Sequence, residues 1–188
     1  MKTIICLSGL ILCSFFMQAQ KKIEDYDAFE KLTAEVKEHR KDKLVNLDKF
    51  MQMAKEENTV ILDTRSDSMY KASHLKGAIH LDFSNFDAGS LAKLIPSKNT
   101  RILLYCNNNF YGDAENRVWQ MKSAPPKGWS GGRKINLPLT IPTYINLYTY
   151  GYKNVYELTE RVYVYDKKLQ FEGISPRPRK ELIPPIIN

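Results

Sequence analysis

The spacing of hydrophobic and polar positions changes along the chain, and the changes divide it. Residues 23–43, IEDYDAFEKLTAEVKEHRKDK, place Tyr26, Phe29, Leu32 and Val36 at helical intervals. They predict one amphipathic helix, an extension over 21–43 ahead of a domain that spans 44–172. LDKFMQMAKEE, residues 47–57, predicts a second, short helix with Leu47, Phe50, Met51 and Ala54 on one side. The period then shortens. TVILD (59–63), GAIHLDF (77–83), RILLYC (101–106) and NVYEL (154–158) are short apolar runs ended by polar residues or turn formers. Between the second and third, NFDAGSLAKLIP holds a helical turn before Pro96. Near-continuous apolar runs separated by helical stretches predict buried parallel strands with crossover helices. The expected class is α/β, one mostly parallel central sheet with helices on both faces.

Two stretches fit no period. Residues 123–142 hold Pro125, Pro126, Pro138 and Pro142 with Gly128, Gly131 and Gly132. So long an irregular loop in a compact domain is usually functional or disordered. Following the segment after Cys106, it could fold over that cysteine, with Trp129, Arg133 and Lys134 as a lid that supplies a cation. Residues 173–188 are the other, a Pro-rich tail expected to be extended and strapped down by Ile183, Ile186 and Ile187.

The first 20 residues have their own pattern. Lys2 precedes a nearly apolar run from Ile4 to Met17, and QAQ follows, with Ala19 at a cleavage-like position. This is the layout of a secretory signal peptide, too short for a membrane span. The expectation is export, periplasmic or secreted, with no stable span after removal of the signal. Leu12 stands where a small residue would precede a lipid-modified Cys13, so a lipoprotein is not expected. Loss of the signal leaves Cys106 as the one remaining cysteine, either a reactive thiol or a small buried hydrophobe.

The formal charge is +7 and spread out. No basic stripe interleaved with aromatics occurs, so nucleic acid is not an expected partner. His39, in a charged helix, reads as solvated. The three histidines have no metal-ligand spacing, and no metal or cofactor is expected.

RILLYC followed by NNNFYGD places Cys106 at a strand end, where α/β sheets bind ligands. The residues after it predict a loop and then a helix starting near Asp113, a good N-cap residue. Such a turn aims amides and a positive helix end inward, where anionic oxygens and an activated thiolate are held. Asparagine tolerates left-handed backbone angles, so three in a row suit a tight cradle. A solvated turn without a ligand fits the same composition.

Residues 60–83, VILDTRSDSMYKASHLKGAIHLDF, resemble the rhodanese-like domain family. Asp63, Thr64 and Arg65 match its D-x-R, Tyr70 its aromatic position, and His74, Gly77, Ala78 and Ile79 its H-I-x-G-A-I. ILLYC resembles the strand leading to the family's active cysteine, and YGYKNVYEL a later motif, for a coverage of roughly 45–160. The resemblance implies a sulfurtransferase. The cysteine, here Cys106, takes sulfur from thiosulfate or another small donor as a persulfide and passes it to a thiol- or cyanide-like acceptor. The implied cradle is Asn107, Asn108, Asn109, Phe110, Tyr111 and Gly112. Asp63 and Arg65 read as a structural ion pair or strand-end cap, and His74 as hydrogen-bonded within its turn. The glycine and arginine usual in the family's active loop are absent here, and Arg117 is the first arginine after Cys106. A catalytically inactive module that binds a protein partner or small anionic ligand is therefore the alternative. Phosphatase-type chemistry needs arginine six residues after the cysteine, where Gly112 stands.

Overall fold

The computed structural model describes residues 25–113, 118–119 and 137–175. The expectations for the signal segment, Trp129, Arg133, Lys134 and the tail from residue 176 lie outside these. The chain enters through α1 (Tyr26–His39), a 3-10 turn at Lys41–Lys43, β1 (Leu44–Val45) and α2 (Leu47–Met53). Next come β2 (Thr59–Asp63), α3 (Asp67–Ala72), β3 (His74–Leu75), β4 (Ile79–His80) and α4 (Ala88–Leu94). β5 (Arg101–Leu104) and β6 (Phe110–Tyr111) follow, then α5 (Thr140–Thr149), β7 (Val155–Leu158), β8 (Val162–Tyr163) and β9 (Phe171–Glu172).

Five strands form one parallel sheet in the order β1-β7-β5-β2-β4. Successive strand residues face opposite sides, so an all-apolar strand feeds two cores. Ile61 and Leu103 join Phe50 and Met53 of α2 on one face. Leu62, Ile102 and Leu104 join Val36 of α1, Leu91 of α4 and Tyr144 and Leu147 of α5 on the other. β3 pairs with β9 antiparallel and β6 with β8 parallel, as two small sheets. Side chains start three helices: Asp25, Asn46 and Asp87 each accept a hydrogen bond from an amide in the first turn.

Several details differ from the sequence reading. β1, β3 and α3 carried no signal, because two-residue strands and a six-residue helix are too short to show a period. α5 removes Thr140, Ile141 and Pro142 from the expected irregular stretch. Pro142 lies in the first helical turn, where its missing N–H is no loss. The helical stripe of α1 is only half used: Val36 is buried, whereas Tyr26 and Phe29 are exposed. His39 is not simply solvated. Its Nδ1 lies 3.0 Å from the Tyr144 hydroxyl. Burial first, then the charges of Lys43 and Lys153, hold its pKa below the ordinary histidine range.

Glu157, buried in β7, locks the extension to the domain. Its Oε2 accepts from Arg40 Nη2 at 2.6 Å, and its Oε1 accepts from the Thr140 hydroxyl at 2.7 Å. One carboxylate thus joins the end of α1 to the start of α5. Glu157→Gln is expected to destabilise the protein by about 2 kcal/mol, the scale of a charge-assisted hydrogen bond. In a urea-unfolding cycle with Arg40→Ala, the double variant should lose less than the sum of the singles.

Candidate functional site

The site is built at the carboxyl end of the sheet's middle strand. The β2–β5 register pairs Leu62 with Leu104, so Asp63 lies level with Tyr105, and Cys106 stands one residue beyond. Asp63 and Arg65 are both buried and form an ion pair, Nη2 to Oδ2 at 2.6 Å. Arg65 Nε also donates to Oδ1 at 3.0 Å, as does its backbone amide. The Tyr105 hydroxyl donates to Asp63 Oδ2. The guanidinium continues outward, donating to the Ser73 carbonyl at 2.7 Å and to Asn107 Oδ1 at 3.2 Å. The Trp119 ring covers it, with a centroid 4.1 Å from the guanidinium carbon. Burial works against the Arg65 charge, but the hydrogen bonds and charge of Asp63 outweigh it and raise the pKa. Burial, reinforced by Asp63, pushes the Tyr105 hydroxyl well up, so it acts as a donor.

Cys106 begins a 3-10 turn over Asn107–Asn109. Asn109 fastens that turn. Its Oδ1 accepts from the Cys106 amide at 2.8 Å, and its Nδ2 donates to the Leu158 and Glu160 carbonyls at 2.7 and 3.1 Å. Phe110 then turns into the core, its ring centroid 4.6 Å from that of Trp119. Tyr111 pairs with Tyr163 across the small β6–β8 sheet. At Gly112 the backbone takes φ +92°, and an added Cβ would collide with the Tyr163 ring.

The expected six-residue cradle is therefore divided. Cys106, Asn107 and Asn108 line a cavity of about 530 Å³ together with Arg65 and Ser66. Asn109, Phe110, Tyr111 and Gly112 are not in that lining and instead anchor the loop. The helix expected to start near Asp113 falls mostly outside the described residues, although Val118 and Trp119 form a turn. The Asp113 carboxylate accepts from the Trp119 amide at 2.8 Å, six residues on, and so holds the two ends of this segment together. The other part of the cavity is Leu137, Pro138, Leu139 and Pro142, from the segment leading into α5. Of these four residues the sequence showed only that their segment is irregular.

His74 lies apart from the cavity. Its Nδ1 is 2.7 Å from the Tyr70 carbonyl, its ring stacks on Tyr70, and Tyr70 stacks on His80 from the other side. It supports the turn into β4. No cluster of side chains able to hold a metal occurs among the described residues.

A family model described as Rhodanese-like domain matches residues 46–166, well over half of the chain. The chain belongs to the rhodanese-like domain family. The match takes in Asp63, Arg65, Cys106 and the strands that carry them. No curated protein matches the chain. Among solved structures it is similar to the BH2092 protein from Bacillus halodurans, at 18% identity over 80% of this chain and 87% of that one, with a TM-score of 0.45.

Asn109→Ala removes one side chain that holds three backbone groups. Stability is expected to fall by about 2 kcal/mol, because the buried Cys106 amide loses its acceptor. Alkylation of Cys106 by iodoacetamide under native conditions should become faster as the turn loosens. Unchanged stability and an unchanged alkylation rate would contradict the anchoring role.

Proposed function

We propose that this rhodanese-like protein is a sulfurtransferase in which Cys106 carries the transferred sulfur as a persulfide. The observation that carries this reading is the position of Cys106, at the end of the middle strand and opening onto a cavity of about 530 Å³. That volume accepts a small molecule, and the polar groups beside the sulfur are few and fixed, as ligand sites require. The Cys106 thiolate attacks the outer sulfur of a donor. The donor's sulfur–sulfur bond breaks, the donor leaves with that electron pair, and a new bond joins the sulfur to Cys106. An acceptor nucleophile such as cyanide or a thiol then removes the sulfur and regenerates the thiolate. This sequence calls for no cofactor.

The protein is proposed to work outside the cytoplasm, periplasmic or secreted, on the strength of the Lys2–Met17 pattern and Ala19. No helix among the described residues is long and apolar enough to cross a membrane.

A second reading has its own support. The guanidinium at the cavity is already bound to Asp63, Ser73 and Asn107. A module that binds a partner or a small ligand without turnover fits that constraint.

Intact-mass measurement separates the two. Purified protein is treated with thiosulfate, inorganic polysulfide or an alkyl persulfide, then with cyanide. Sulfurtransfer predicts a gain of one sulfur that cyanide removes and that Cys106→Ser abolishes. No adduct with any donor leaves the binding module as the reading.

A further inference from the structure

We infer that the sulfur donor is an organic persulfide whose substituent is apolar, rather than a small inorganic dianion. This deepens the sulfurtransferase reading above and rests on it. The described cavity lining contains one cation, Arg65. Its charge is matched inside the protein: Asp63 faces it with both carboxylate oxygens, and the Ser73 carbonyl and Asn107 Oδ1 take further N–H groups. Among the described residues, an entering dianion would lose its water and meet a pair of net charge zero, with the Ser66 hydroxyl and the Asn107 and Asn108 carboxamides as the other neutral polar side chains beside the thiol. Desolvation of a charge without a matching charge is heavily unfavourable.

The remaining wall points to what does fit. Leu137, Pro138, Leu139 and Pro142 are all apolar and all line the cavity. Leu137 is 66% exposed at its edge, a large apolar side chain left with water. An alkyl or aryl group laid against these side chains removes apolar surface of both partners from water. The cavity volume of about 530 Å³ lies in the range of organic ligands. The sulfur chemistry then balances without further reagents. The thiolate of Cys106 attacks the terminal sulfur of R–S–SH, the donor's S–S bond breaks, and R–S⁻ leaves with the electron pair. The transferred sulfur keeps its proton, giving Cys106–S–SH, and the net negative charge moves from Cys106 to the released thiolate.

The test compares methyl persulfide and hexyl persulfide, which share one reacting group and differ only in the apolar chain. Inorganic polysulfide, a small anion, is expected to load Cys106 more slowly than hexyl persulfide, and any loading by it reports persulfide formation itself. Loading of the full chain is followed by intact mass against time. Hexyl persulfide is expected to load Cys106 about tenfold faster than methyl persulfide at equal, sub-saturating concentration, since burial of two or three methylene groups suffices for that factor. Leu137→Lys, at an exposed position, should erase most of the difference, and Leu139→Lys is the second variant should the first misfold. Equal rates for the two alkyl donors while polysulfide loads Cys106 would overturn the apolar-donor inference and leave sulfurtransfer intact. Equal rates in wild type and both folded variants would overturn it likewise. Failure of polysulfide, hexyl and methyl donors alike would overturn the sulfurtransferase reading and this inference with it.

Discussion

The arrangement around Cys106 depends on one buried ion pair. Asp63 has no exposed surface and Arg65 almost none, so neither charge is hydrated. Such a pair is tolerable only when its remaining hydrogen-bonding capacity is filled. Here three further residues fill it. Tyr105 reaches Asp63 from the middle strand, and Ser73 and Asn107 take the outer N–H groups of Arg65. Trp119 closes the guanidinium face. The pair thereby ties the ends of two neighbouring strands to the loop that carries the cysteine and to the chain before β3. It also decides the electrostatics of the cavity. The cation that an anionic donor would seek is present, but it is engaged in holding the site together.

Around that pair the loop is held from its far side. Asn109 binds the Cys106 amide and two carbonyls at the end of β7, so the turn after the cysteine is fixed at both ends. Phe110 and Gly112 continue the anchoring, one by filling the core and the other by passing close beneath Tyr163. The polar side of the cavity is therefore rigid and narrow in chemistry. Variation is left to the segment before α5, whose Leu137 and Leu139 set the character of the opposite wall. Under the proposed sulfur transfer, a fixed polar end beside the sulfur and an apolar wall divide the work: the first would place the reacting atoms, and the second would select the group attached to them.

Much of the fold was legible because its central strands are buried on both faces. TVILD, RILLYC and NVYEL read as strands because they are short, largely apolar runs separated by helical stretches. The position of Cys106 followed from the end of one such run, and the Asp63–Arg65 pair from charges two residues apart at the end of another. What failed to show was whatever depends on distant partners. Asn109 looked like one of three equivalent loop formers, and only its bonds to residues about fifty positions later distinguish it. Nothing in the sequence singled out Glu157, although it holds Arg40 and Thr140 in place. The bond from the Trp119 amide to the Asp113 carboxylate was equally hidden, since the sequence offered Asp113 only as a local helix start. The apolar wall was hidden for a simpler reason. A stretch rich in proline and glycine shows that the chain turns, but not where it lands.

A double-mutant cycle on Asp63 and Arg65, read by urea unfolding at neutral pH, tests the central claim most directly. If the pair holds the site, Asp63→Asn leaves a buried guanidinium without its counter-charge and costs about 3 kcal/mol or more. Arg65→Met added to that variant should then recover part of the loss. A cost below about 1 kcal/mol for Asp63→Asn, as for an exposed ion pair, together with additive effects in the double variant, would contradict the account.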